Sequence, residues 1–109
     1  MSVSVRVSGS TYTIALTDNT QGWTQNENGS GLSDSSAEVI TEAPSTESGP
    51  LPLADFGTVN YADSTANGES MDSLSATAIE MVGASGDQLD STSGMDTSGD
   101  FSNTWMAES

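Results

Sequence analysis

The sequence predicts an all-β chain, an antiparallel β-sandwich, on three observations. Apolar and polar residues alternate with period two through residues 3–17 and again near the C-terminus, as in half-buried strands. Clusters of Gly, Asn, Asp, Ser and Pro interrupt the apolar runs every ~8–12 residues, the spacing of sandwich strands. Ser and Thr are abundant, yet the alternation persists through them, which suits sheet surfaces. Seven or eight short strands are expected, without a repeat of fixed period. The 109 residues amount to a single domain at most.

The elements follow in order. Val3, Val5 and Val7 face one way, and Ser2, Ser4, Arg6 and Ser8 the other. Gly9-Ser10 is a two-residue hairpin connection. Thr11 to Thr17 sets Tyr12, Ile14 and Leu16 on one face. Asp18-Asn19 is turn chemistry, residues 20–25 around Trp23 make a third strand, and residues 26–36 read as a loop. Residues 36–42 fit a strand or a short helix by pattern, and the β-branched Val39, Ile40 and Thr41 favour a strand. Residues 45–50 are loop. Residues 51–61 carry Leu53, Phe56, Val59 and Tyr61, with Gly57 as a bulge or close-approach point. Residues 63–70 are loop. In residues 74–82, Leu74, Ala78, Met81 and Val82 match helical spacing, but the surrounding rhythm argues for a strand. Residues 85–98 are polar apart from Leu89 and Met95. Phe101, Asn103 and Trp105 share one face of a last short strand.

Composition excludes several chemistries. Cysteine and histidine are absent, so no disulfide framework, imidazole-based triad or His/Cys zinc site is available. Lys plus Arg is 1 against 16 acids, a formal net charge of -15. With Arg6 its sole base, the chain is not expected to bind nucleic acid or an anionic membrane. No run approaches the ~20 apolar residues of a membrane span, and residues 1–5 lack the regions of a signal peptide. The uncompensated charge fits work in acid, work in high salt, partial disorder, or solubility alone. The sustained alternation disfavours a disordered tail.

The remaining catalytic pool is carboxylates, hydroxyls and amides. Glu38 and Glu42, four apart, would share a strand face with Ile40 at roughly 13 Å separation, too far to share a proton. Spacing alone favours two solvated carboxylates at a sheet edge. Asp55 reads as a turn residue accepting backbone N–H groups rather than a buried acid. Asp87, Asp90, Asp96 and Asp100 lack Ca²⁺-loop spacing and read as charged loop tips. Met71, Met81, Met95 and Met106 read as filler of the core or exposed loop residues. Asn28-Gly29-Ser30 fits a glycosylation acceptor, a triplet common by chance.

Residues 37–44, Ala-Glu-Val-Ile-Thr-Glu-Ala-Pro, and 51–59, Leu-Pro-Leu-Ala-Asp-Phe-Gly-Thr-Val, resemble the paired signature of the glutamic peptidases, the eqolisin family. The hairpin of residues 3–17 and the ending 101–105 are similar to that family's flanking strands. The resemblance thus covers nearly the whole chain, and it corresponds to the C-terminal half of the family domain. It implies two packed, mostly antiparallel sheets, a concanavalin-like architecture of which this chain supplies about half. It also implies acid endopeptidase activity on polypeptides, in a secreted or extracellular setting, without metal or cofactor. The family's catalytic glutamate corresponds to Glu42. It acts as general base on a water, with a glutamine amide orienting the water and stabilising the oxyanion. The glutamine lies in the family's N-terminal half, and Gln21, Gln25 and Gln88 do not take its place.

Half a sandwich leaves apolar faces and strand edges unpaired. A second copy, a separate N-terminal half chain, or closure into a smaller sandwich is therefore expected, with little or no activity for the chain alone. The rival expectation is a non-enzymatic acidic β-sandwich that holds peptides or another subunit on the same scaffold.

Overall fold

A computed structural model of the chain describes residues 1–31 and 36–109. These are all-β: every strand pairing is antiparallel and, among the described residues, no helix occurs. The strands are β1 (Ser2–Ser8), β2 (Thr11–Asp18), β3 (Trp23–Ser30), β4 (Ser45–Thr46), β5 (Gly49–Pro50), β6 (Thr58–Tyr61), β7 (Thr65–Ala66), β8 (Glu69–Ser70), β9 (Asp90–Thr92) and β10 (Phe101–Trp105). They divide between two compact units, Met1–Ser36 and Ala37–Ser109.

The first unit is the meander β1-β2-β3. Gly9, at φ +63°, opens the two-residue turn between β1 and β2, a conformation that suits the twist of a hairpin and favours glycine. The register sets Val3 beside Leu16, Val5 beside Ile14 and Val7 beside Tyr12, so one face of these two strands is apolar. The other face is hydroxyl- and amide-rich, with Thr13 Oγ1 donating to Asn28 Oδ1 (2.9 Å) and the Thr17 and Thr24 hydroxyls 3.0 Å apart. The β2–β3 turn is built on Asp18. Its carboxylate accepts the N–H groups of Thr20 and Gln21, and its carbonyl accepts that of Gly22. Among this unit's described residues no side chain is buried, so its order rests on its ladder.

The second unit holds the sheet β6-β10-β9 and the two-stranded pairs β4-β5 and β7-β8. Tyr61 and Phe101 face each other across β6 and β10 and stack with ring centroids 4.8 Å apart. Ala43, Leu53 and Leu89 form the core, with Phe56, Met81, Trp105 and Ala107 packed around them. Trp105 Nε1 donates to the Leu53 carbonyl (3.1 Å), and Leu53 N donates to the Glu108 carbonyl (2.8 Å). These bonds bind the irregular segment 51–57 to β10 and to the residues that follow it.

Several sequence expectations are corrected. The third strand runs Trp23–Ser30, not 20–25, because the Asp18-centred turn occupies residues 19–22. Residues 26–30, expected as loop, therefore pair with β2; of the remainder of that loop, residues 32–35 lie outside the described residues. Residues 36–44 form no strand. The expected common strand face for Glu38 and Glu42 does not exist. Residues 45–50 fold as the β4-β5 hairpin instead of a loop, and 74–81 are neither helix nor strand. Residues 90–92, read as polar loop, pair with β10 as β9.

Candidate active site

Glu42 lies in an irregular segment whose neighbours are fixed. On one side the Thr41 and Tyr61 hydroxyls share a 2.6 Å hydrogen bond, tying the segment to β6. On the other side Ala43 is buried in the core, and the Pro44 carbonyl accepts the Leu51 N–H at 2.8 Å, closing the base of the β4-β5 hairpin. The exposed Glu42 side chain then stands at a groove of about 430 Å³, a size suited to a peptide side chain or a small ligand. The hairpin arm supplies Pro50, Leu51 and Pro52 to one wall. The loop after residue 80 supplies Met81, Val82 and Gly83 to another, and Leu89 and Glu108 complete it.

The Met81 wall is held by a buried polar network. Asp90 is 2% exposed and Asn103 4%. Asp90 Oδ1 accepts the Met81 N–H (2.7 Å), and Oδ2 accepts Asn103 Nδ2 (3.1 Å). The same amide nitrogen donates to Thr92 Oγ1 (2.9 Å), whose hydroxyl donates to the Ile79 carbonyl (2.6 Å). The Met81 carbonyl in turn accepts the Leu89 N–H. Both polar groups of the Met81 backbone are therefore engaged, and the buried carboxylate is satisfied by N–H donors.

The family model that matches this chain is the peptidase A4 family, over residues 1–105, from the first strand through the end of β10. The chain belongs to the peptidase A4 family. This is the family of glutamic peptidases that the paired signature resembles. No curated protein and no solved structure matches the chain significantly.

Within this A4 chain, Glu42 lines the groove and Glu38 does not, although both are exposed. Asp55 accepts the Gly57 N–H at 2.9 Å, a turn role, and Gly57 takes φ +65°. Asp96 accepts the N–H groups of Ser98 and Asp100, Asp100 accepts that of Asp63, and Asp87 accepts the Ser85 hydroxyl. Asp96 and Asp87 organise local turns, Asp100 ties the distant residue 63 to the start of β10, and Asp90 is the buried exception. Among the described residues, no group of three or more acids is placed to hold a metal ion. Gln21 lies in the β2–β3 turn, Gln25 on β3 donates to Glu27 Oε1 (3.3 Å), and Gln88 sits exposed opposite Val82. Asn28 is engaged with Thr13 on the polar face of the first unit's sheet.

Glu108 escapes the sequence reading of this A4 chain, and Asp90, read as a charged loop tip, is buried instead. Glu108 joins the groove through a contact distant in sequence, which no local pattern signals. Asp90 follows the apolar Leu89 in a polar stretch, and its burial arises from pairing between β9 and β10.

Proposed function

We infer that this chain supplies the glutamate half of an acid endopeptidase site, with Glu42 as its general base. The observation that carries the reading is the placement of Glu42 at the groove in a chain of the peptidase A4 family. The Glu42 carboxylate takes a proton from a water, the resulting oxygen attacks the scissile carbonyl, and the proton passes to the departing amine. The clamps at Thr41 and Ala43 support this role, because a base works only when its position is held. The amide that stabilises the oxyanion in this family is not carried by Gln21, Gln25 or Gln88. The chain alone is therefore a weak or inactive peptidase, and a polypeptide bringing the family's glutamine-bearing half completes it.

Digestion of a denatured protein in acid tests this. Cleavage by the chain supplied with a glutamine-bearing half is expected to fall about 10²–10⁴-fold in Glu42→Gln, the worth of a general base. Glu38→Gln is expected to keep it. Cleavage that survives Glu42→Gln, or none even with the second half present, overturns the reading.

A further inference from the structure

Resting on the groove as the substrate cleft, we propose that it accepts a polypeptide segment bearing an apolar side chain flanked by Lys or Arg, and that Glu108 sets the preference for the cationic flank. The groove's backbone is the first observation. Pro50 and Pro52 have no N–H, the Leu51 N–H is taken by the Pro44 carbonyl, and the Leu53 N–H by the Glu108 carbonyl. Along residues 50–53 no backbone donor remains for an incoming strand. On the facing wall the Met81 N–H is spent on Asp90 and the Gly83 N–H on the Asp87 carbonyl. Strand addition, which relies on such donors, is thus denied at these positions, and a bound peptide is held through its side chains.

The lining states which side chains. Leu51 and Val82 are 46% and 60% exposed at the groove, apolar surface that gains by covering an apolar guest. The groove's ionisable side chains are Glu42 and Glu108, both carboxylates, and the chain's net charge is -15. A cation beside the apolar anchor is attracted by both, and an anion is repelled. The Glu108 backbone is anchored by its carbonyl bond to Leu53 N, so its charge is presented from a fixed root.

Fluorescence anisotropy with three labelled peptides, a leucine flanked by lysines, by glycines or by glutamates, tests the proposal near neutral pH and at low salt. The lysine peptide is expected to bind at least about threefold tighter than the glycine peptide, and the glutamate peptide weakest, as exposed charge pairs allow. Glu108→Gln removes about threefold from the lysine peptide and leaves the glycine peptide unchanged. Val82→Ser weakens all three. Glu69→Gln, the same charge change on β8 away from the groove, changes nothing. Equal binding of the three peptides, no binding, or equal effects of Glu108→Gln and Glu69→Gln overturn the proposal. Since binding is read without cleavage, the two readings fail separately. The expected preference with no cleavage in the completed enzyme spares this proposal and sinks the catalytic one, and cleavage without preference does the reverse.

Discussion

Asp90 is a buried acid held by the Met81 N–H and the Asn103 amide. Removing either partner strands a buried polar group, which costs more than the bond itself contributes. Asn103→Ala is expected to lower stability by about 1–3 kcal/mol, read by chemical denaturation. In a double-mutant cycle with Asp90→Ala, the two losses should be non-additive by about 0.5–3 kcal/mol; additive losses would deny the network. The contrast with Asp18 and Asp55 explains what single residues disclose in advance. Both accept N–H groups two or three positions onward, so their roles are encoded within a few residues. Asp90 depends on the pairing of β9 with β10, between residues 11 or more apart in sequence, and nothing beside it signals that.

At the scale of elements, the hairpin β1–β2 and the strand β10 were legible, because alternation and a Gly-Ser turn are local signals. β3 was displaced in the reading. Apart from Trp23 its residues Trp23–Ser30 are polar, and its bounds come from the ladder offered by β2 rather than from a pattern of its own. Residues 36–44 show the opposite failure. Val39, Ile40 and Thr41 have strand propensity, but the segment is fixed by the Tyr61 hydroxyl and by burial of Ala43, and tertiary context overrides propensity. The expectation for Glu42 therefore rests on the family signature, not on strand geometry. β10 joins the sheet to the groove through Trp105. Trp105→Phe keeps an aromatic ring and loses the bond to the Leu53 carbonyl, an expected cost of about 1 kcal/mol. Trp105→Ala also opens the core and should cost about 3 kcal/mol. Equal thermal shifts for the two variants would mean that the indole packing contributes nothing.

For the molecule as a whole, charge opposes a small core. A net -15 spread over 109 residues repels itself, and the Ala43, Leu53 and Leu89 core is modest. The screening length falls to roughly 3 Å at 1 M salt from roughly 10 Å at 0.1 M. The melting temperature is therefore expected to rise with added salt at neutral pH, and to rise at low salt as the pH approaches the acid range and net charge falls. A melting temperature indifferent to both would show that self-repulsion is not what limits stability.

The two tryptophans, Trp23 and Trp105, fall one in each compact unit. Trp23 is exposed, while Trp105 is half-buried and hydrogen-bonded. Each unit thereby carries its own native optical reporter. Replacing one indole at a time gives emission spectra that follow the two units independently through a denaturant titration, and Trp105, bonded to the residue that follows Pro52, would also register a guest entering the cleft.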